Sequence, residues 1–218
     1  MSPVPSVALV DYGAGNLRSV AKALERSGLA VDVTSDASAL LRADAVVLPG
    51  VGAFADARAS LAAKGLDDAV LRAIDAGRPY LGLCLGLQLL FEEADEHGRT
   101  AGLGRLRGRV ERFPDRAADG TRLLVPHIGW NEVVWRRERS DHPMLRALPE
   151  RDYYSFVHSY RPSSADAGAV VGWTDYGGGF ASAVAEERIF AVQFHPEKSQ
   201  AAGKRLLDAF AQWVGASR

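Results

Sequence analysis

Residues 82–86 read Gly-Leu-Cys-Leu-Gly, and residues 195–197 read His-Pro-Glu. Cys84 is the only cysteine of the chain. It follows a short apolar run and precedes a helical pattern, the setting of a nucleophile elbow, in which a strand turns sharply into a helix with small residues two positions either side of the reactive one. Gly82 and Gly86 remove side chains that would collide where the backbone doubles back. Free N–H groups at the start of the helix from Leu85 favour negative charge on the sulfur and supply donors to an oxyanion formed beside it. Alone, Cys84 is equally a small buried hydrophobe, because free cysteine is commonly buried and inert.

A base has to come from elsewhere, and the chain has five histidines. His97 and His142 fall in polar loops and read as surface residues. His127 and His158 fall in or near strands, where a hydrogen-bonded structural role is the default. His195 ends the apolar run Phe-Ala-Val-Gln-Phe-His and is followed by Pro196 and Glu197. Positions i and i+2 of an extended segment face one side, and proline biases the residue before it toward extended backbone. Glu197 is therefore expected beside the His195 ring, fixing its tautomer and supporting its imidazolium. A strand-end ion pair explains His-Pro-Glu in isolation. With the cysteine elbow it makes a Cys–His–Glu triad the better reading.

The first half of the chain, which must position these residues, alternates in period. "SVALV", "LAVDVT", "DAVVLPG" and "PYLGL" read as strands. A helix is expected from an N-cap at Asn16 to Gly28, others at "ASALLR" and "LDDAVLRAIDAG", and one running through "LGLQLLFEE". Near-continuously apolar strands alternating with helices imply a parallel sheet covered on both faces. From about residue 104 the texture changes to short strands, "GRVERF", "NEVVW", "YYSFVHSY", "AVVGW", "FASAVA" and "IFAVQFH", with "DYGGG" as a hairpin turn. An amphipathic helix built on Leu206, Ala209, Phe210 and Trp213 closes the chain. The expected fold is one α/β domain over residues 1–218: an open, mostly parallel, flavodoxin-like sheet with an antiparallel elaboration in the C-terminal half.

Composition limits the partners. A net charge of −1, with 24% charged residues, argues against a polybasic nucleic-acid or membrane-surface binder. The arginines near residue 107 read as the solvated face of a strand. One cysteine makes no internal disulfide, which suits a reducing cytoplasm. No paired-cysteine or His-Glu-x-x-His spacing suggests a metal, and no Gly-x-x-x-x-Gly-Lys or dinucleotide pattern suggests a cofactor; none is expected.

The segments "PGVGAF", "GLCLGLQLL", "GWN", "FVHSY" and "QFHPEKS", in that order, resemble the class I (triad-type) glutamine amidotransferases. "VDYGAGNLRSV" and "HIGWN" narrow the resemblance to the glutaminase subunit of imidazole glycerol phosphate synthase. It spans about Val7 to Trp213. It implies a flavodoxin-like enzyme that hydrolyses L-glutamine and passes ammonia to a separate (β/α)8-barrel cyclase in histidine biosynthesis. By motif, Cys84 is then the nucleophile, His195 the base and acid, and Glu197 its orienter. The N–H groups of Leu85 and Val51 form the oxyanion hole, with Gly50 and Gly52 beside it. Many members of the class carry glycine where Val51 stands; a β-branched residue restricts that backbone, so the loop is expected to be poorly set without the partner. Gly50, Gly52, Gln88, His158, Ser159 and Tyr160 are candidates to bind the substrate, and Asn16, Arg18, Trp130 and Lys198 to meet the partner. The alternatives are a glutaminase serving another synthase, a related cysteine peptidase or γ-glutamyl hydrolase, and a catalytically inactive binding module.

Overall fold

A computed structural model describes residues 3–136, 138, 141–163 and 168–218. In its first half, β1 (Ser6–Val10), β2 (Ala30–Thr34), β3 (Ala45–Leu48) and β4 (Tyr80–Leu83) alternate with α1 (Leu17–Arg26), α2 (Ala37–Arg42), α3 (Phe54–Ala63) and α4 (Leu66–Asp75). After α5 (Leu85–Gln88) come β5 (Phe91–Ala94), β6 (Thr100–Ala101), β7 (Leu106–Arg112), β8 (His127–Trp135), α6 (Pro143–Arg146), β9 (Arg151–His158) and β10 (Tyr160–Ser163). The chain finishes with β11 (Val170–Asp175), β12 (Gly179–Glu186), β13 (Ile189–Val192), a 3-10 turn (Pro196–Lys198) and α7 (Gln200–Ala216).

Nine strands form one sheet in the order β2-β1-β3-β4-β13-β12-β11-β8-β9. From β2 to β13 the neighbours are parallel; from β13 to β9 they are antiparallel. Strands β1, β3, β4 and β13 are buried on both sides, as their continuous apolar runs require, while β2 at the edge is largely exposed. Val7 and Leu9 of β1 pack with Leu24 of α1 and Phe210 of α7, while Ala8 and Val10 pack with Leu40 of α2, Leu61 of α3 and Val70 of α4. One strand thus feeds two cores through its two-residue alternation.

Three expectations need correction. The helix through "LGLQLLFEE" stops at Gln88, and Phe91–Ala94 is a strand of a second, four-stranded sheet ordered β10-β7-β5-β6. Residues 85–91 are all buried, so no solvated face exists for an amphipathic helix. The Leu89 and Leu90 carbonyls accept from Leu103, Arg105 and Leu106 N–H instead of continuing a helical ladder. "YYSFVHSY" is split at Ser159 between β9 and β10, which belong to different sheets. His142 is buried rather than on the surface, edge-on to Trp213 at 4.4 Å between ring centroids; burial, aided by Arg188, pushes its pKa down to about 4. Helix α3 fills residues 54–63, to which the sequence reading assigns no element. No helix among the described residues is long and apolar enough to cross a membrane.

Candidate active site

Cys84 stands between β4 and α5 with φ 52° and ψ −103°. A non-glycine residue holds positive φ only where its surroundings impose it, and such strain gathers at functional sites. The surroundings here are close backbone contacts. A Cβ on Gly82 would lie 2.7 Å from the Gly86 carbonyl oxygen, and a Cβ on Gly86 would collide with the Leu48 carbonyl oxygen at the end of β3. Helix α5 is a single turn, with Leu87 and Gln88 N–H bonded to the Cys84 carbonyl. Its dipole is therefore slight; what it offers is the Leu85 N–H, which lies in the first turn and has no partner within the helix.

His195 follows β13, whose register places Val192 beside Leu83 and whose Val192 carbonyl accepts the Cys84 N–H at 2.8 Å. Adjacent parallel strands thus end in the cysteine and the histidine. His195 is extended (φ −105°, ψ 93°), but Glu197 sits in the 3-10 turn rather than on a continued strand. Proline at the first position of that turn is pre-set for it. The predicted proximity holds through this different geometry: His195 Nδ1 lies 2.9 Å from Glu197 Oε1, with 5% and 2% of the two side chains exposed. Ser199, fully buried, holds the turn in place; its hydroxyl donates to the His195 carbonyl at 2.6 Å and accepts the Ser155 N–H of β9 at 3.0 Å.

Burial acts to lower the imidazole pKa of His195. Its hydrogen bonds to Cys84 and Glu197, and the charges of both, outweigh that and push it up to about 10. The Nε2 atom is buried without a fully formed hydrogen bond, so the interaction with the sulfur is one of close approach and not of finished geometry; such contacts tighten when substrate binds. Glu197 Oε2 is likewise buried and unpartnered among the described residues. A carboxylate with half its acceptors unsatisfied draws what compensation it has from the imidazolium.

A cleft of about 370 Å³ opens over Cys84, lined by Val51, Gly52, Leu85, Gln88, Glu96, His158, Ser159 and Tyr160 among others. Seven of the residues singled out in the sequence, besides the cysteine, therefore meet there. Gly50 does not line it; it packs behind the loop, where a Cβ would come within 2.6 Å of both Leu85 Cβ and the Tyr12 hydroxyl. Gln88 Nε2 donates to the Tyr160 carbonyl at 3.0 Å and to Gln193 Oε1 at 3.1 Å. With both its N–H groups so engaged, the atom it has left for a ligand is Oε1, an acceptor. His158 donates from Nδ1 to the Tyr160 carbonyl at 2.8 Å, and its Nε2 then accepts from His127 Nδ1 at 3.3 Å. Burial holds both rings neutral, His158 down to about 3 and His127 to about 4.

Two residues of the site went unnoticed in the sequence. Glu96 lines the cleft and accepts the Phe54 N–H at 2.6 Å, serving the start of α3, whose N-cap Ala53 has no side-chain acceptor. Nothing in its polar loop context marks it. Gln193 donates to Cys84 Sγ at 3.6 Å; a polar residue within an apolar strand, two before His195 and on the same side, was the available signal.

Asn16 caps α1 by accepting the Ser19 N–H, and Asn16, Arg18 and Lys198 are exposed. Trp130 is 51% exposed and Ile128 68%; both lie on β8. Ile128 pairs with Val157 of β9, itself exposed and lining the cleft. An apolar surface thus borders the mouth of the site. Among the described residues no group of His, Cys, Asp and Glu is arranged to hold a metal ion.

The family described as "Glutamine amidotransferase class-I" matches residues 8–212. The imidazole glycerol phosphate synthase subunit HisH of Aromatoleum aromaticum is 51% identical over 95% of this chain and 98% of its own length. The chain belongs to the HisH family of class-I glutamine amidotransferases. The HisH subunit of Methylococcus capsulatus is 50% identical, again over 95% of this chain, and that of Aquifex aeolicus 47% over 93%. Among solved structures, PurLQS from Thermotoga maritima superposes with a TM-score of 0.72 at 19% identity, covering 97% of this chain and all of that one. The likeness to PurLQS speaks for the fold, and the HisH relatives extend over nearly the whole chain.

Proposed function

We propose that this HisH-family protein hydrolyses L-glutamine through a Cys84 thioester and delivers the ammonia to a (β/α)8-barrel cyclase, with which it forms the cytoplasmic imidazole glycerol phosphate synthase of histidine biosynthesis. The carrying observation is that Cys84, strained at its elbow, interacts with a buried imidazole whose proton is retained up to about pH 10. A carboxamide is a poor acceptor of nucleophiles because its nitrogen leaves badly. Thiolate beside imidazolium answers both needs.

The sulfur attacks the side-chain carbonyl carbon, and the electron pair of the C=O bond moves to oxygen. The Leu85 N–H and the Val51 N–H receive that oxyanion. His195 passes the Nε2 proton to nitrogen, the C–N bond breaks and ammonia leaves. Neutral His195 then takes a proton from water as the water attacks the thioester, the C–S bond breaks, and glutamate departs with the sulfur again thiolate. Glu197 holds the ring in one tautomer through both halves. For the rest of the substrate, Gln88 Oε1 and the Glu96 carboxylate suit an α-ammonium group, and Ser159 and Tyr160, which line the same cleft, offer further polar groups. The apolar surface around Ile128, Trp130 and Val157 is where the cyclase docks, so that partner and cleft mouth adjoin.

The test is covalent. A glutamine-mimicking diazoketone, applied with the cyclase present, is expected to add to Cys84 as read by mass spectrometry, and Cys84→Ala to lose both the label and glutamine-dependent ammonia release. An unlabelled Cys84, or a Cys84→Ala protein that still releases ammonia, would refute the proposal.

A further inference from the structure

Gln193 is fully buried between Val192 and Phe194, which are themselves sealed from solvent. A primary amide in such a place is costly unless each of its groups is paired. Its partners fix its orientation without ambiguity. The Tyr160 carbonyl only accepts, so the Gln88 atom 3.0 Å from it is the amide nitrogen. That same nitrogen lies 3.1 Å from the Gln193 amide, so the Gln193 atom facing it is the oxygen. The Gln193 nitrogen is then turned to the other side, 3.6 Å from Cys84 Sγ. Its backbone N–H is tied to the Ser182 carbonyl of β12 at 2.9 Å, so the side chain is anchored at its root as well.

We infer that Gln193 is a further catalytic residue, which holds the Cys84 sulfur by an N–H···S hydrogen bond and is itself held in register by Gln88. This rests on the reading of Cys84 as nucleophile. The bond does two things that His195 does not. It opposes rotation of Sγ away from the cleft about the Cα–Cβ bond, and it places a neutral donor against the sulfur's negative charge without adding a positive charge that would compete with the imidazolium. Because Gln88 also lines the cleft, the residue that orients Gln193 is one that a bound ligand touches.

The test uses Gln193→Met, which keeps length and apolar bulk but has no donor, and Gln193→Glu, which keeps the shape but sets a carboxylate against the sulfur. Measured in complex with the cyclase, Gln193→Met is expected to lower kcat about ten- to a hundredfold, with KM for glutamine within about twofold of the parent. Gln193→Glu is expected to lose more. Iodoacetamide alkylation of Cys84 at fixed pH, which needs neither glutamine nor turnover, is expected to slow in parallel. A merely structural role would instead move the melting temperature, and kcat and KM together. Alkylation and kcat within about twofold of the parent in these variants would overturn the inference; should Gln193→Met fail to fold, Gln193→Glu decides it alone. If Cys84→Ala retained glutaminase activity, the functional reading would fall, while the alkylation rates would still report whether Gln193 holds the sulfur.

Discussion

His195 Nδ1 meets Glu197 Oε1 at 2.9 Å across a proline-initiated 3-10 turn, and the other carboxylate oxygen has no partner among the described residues. The carboxylate therefore has one task, to hold the ring with Nδ1–H toward itself and Nε2 toward the sulfur. Glu197→Gln keeps the shape but removes the charge. It is expected to lower kcat about 10²- to 10⁴-fold with a much smaller change in KM, measured as glutamine-dependent ammonia release in complex with the cyclase.

The same imidazole, held by Cys84 as well as Glu197, makes stability depend on alkaline pH. His195 binds its proton up to about pH 10 in the folded protein and up to about 6.5 when unfolded. A raised folded value contributes stability that is fully present below pH 6.5 and is lost as pH rises through 10. Thermal unfolding between pH 6 and pH 10 is expected to show a falling midpoint, and Glu197→Gln to flatten the fall. Parallel curves for parent and variant would contradict the assignment.

Three other histidines act at the acid end with opposite sign. His127 and His142 are held to about 4 and His158 to about 3, mainly by burial, so below pH 6.5 the unfolded chain takes up protons that the folded one refuses. Their penalty is absent above pH 6.5, grows as pH falls, and is complete below the folded values. It amounts to roughly a few kcal/mol for each histidine. Denaturant titrations of His127→Asn at pH 6.5 and pH 4.5 are expected to differ less than those of the parent.

Ile128 and Trp130 are the large apolar groups of β8 that water reaches beside the cleft. Trp130→Ala is expected to weaken cyclase binding at least tenfold by isothermal titration calorimetry, as for an aromatic anchor at an interface. Iodoacetamide alkylation of Cys84 in the isolated subunit should be unchanged, since Trp130 does not line the cleft.

Gly203 of α7 lies against the Pro196 carbonyl so closely that a Cβ would collide with it. Gly203→Ala is expected to shift the turn that carries Glu197, lowering kcat at least tenfold while circular dichroism stays close to that of the parent. The cost in stability should be about 1–3 kcal/mol.

In the parallel half, β1, β3 and β4 are legible as apolar runs and α1 and α4 as amphipathic helices, two signals that do not overlap; α3, whose apolar residues fall on no single face, is not. Legibility failed at Leu87–Glu93, where every residue as far as Phe91 is buried and periodicity cannot separate helix from strand. His142 was misplaced for a related reason: its polar neighbours describe the loop, while Trp213 and Phe190, distant in sequence, bury the ring. In the site, Cys84, His195 and Glu197 carry local signatures, the paired glycines and the proline. Glu96 and Gln193 have none as strong, since their importance lies in what the fold brings to them: the Phe54 N–H for one, the sulfur for the other.

At Gly86 the turn that presents the sulfur nests on the carbonyl of Leu48, the residue from which the Pro49–Gly52 loop departs. The spacing between the sulfur and the N–H groups of the Pro49–Gly52 loop is thereby gauged by main chain seated on main chain. Side chains around the cleft can be exchanged to suit a different synthase without retuning that gauge, whereas a single methyl group at position 86 would throw it out of calibration.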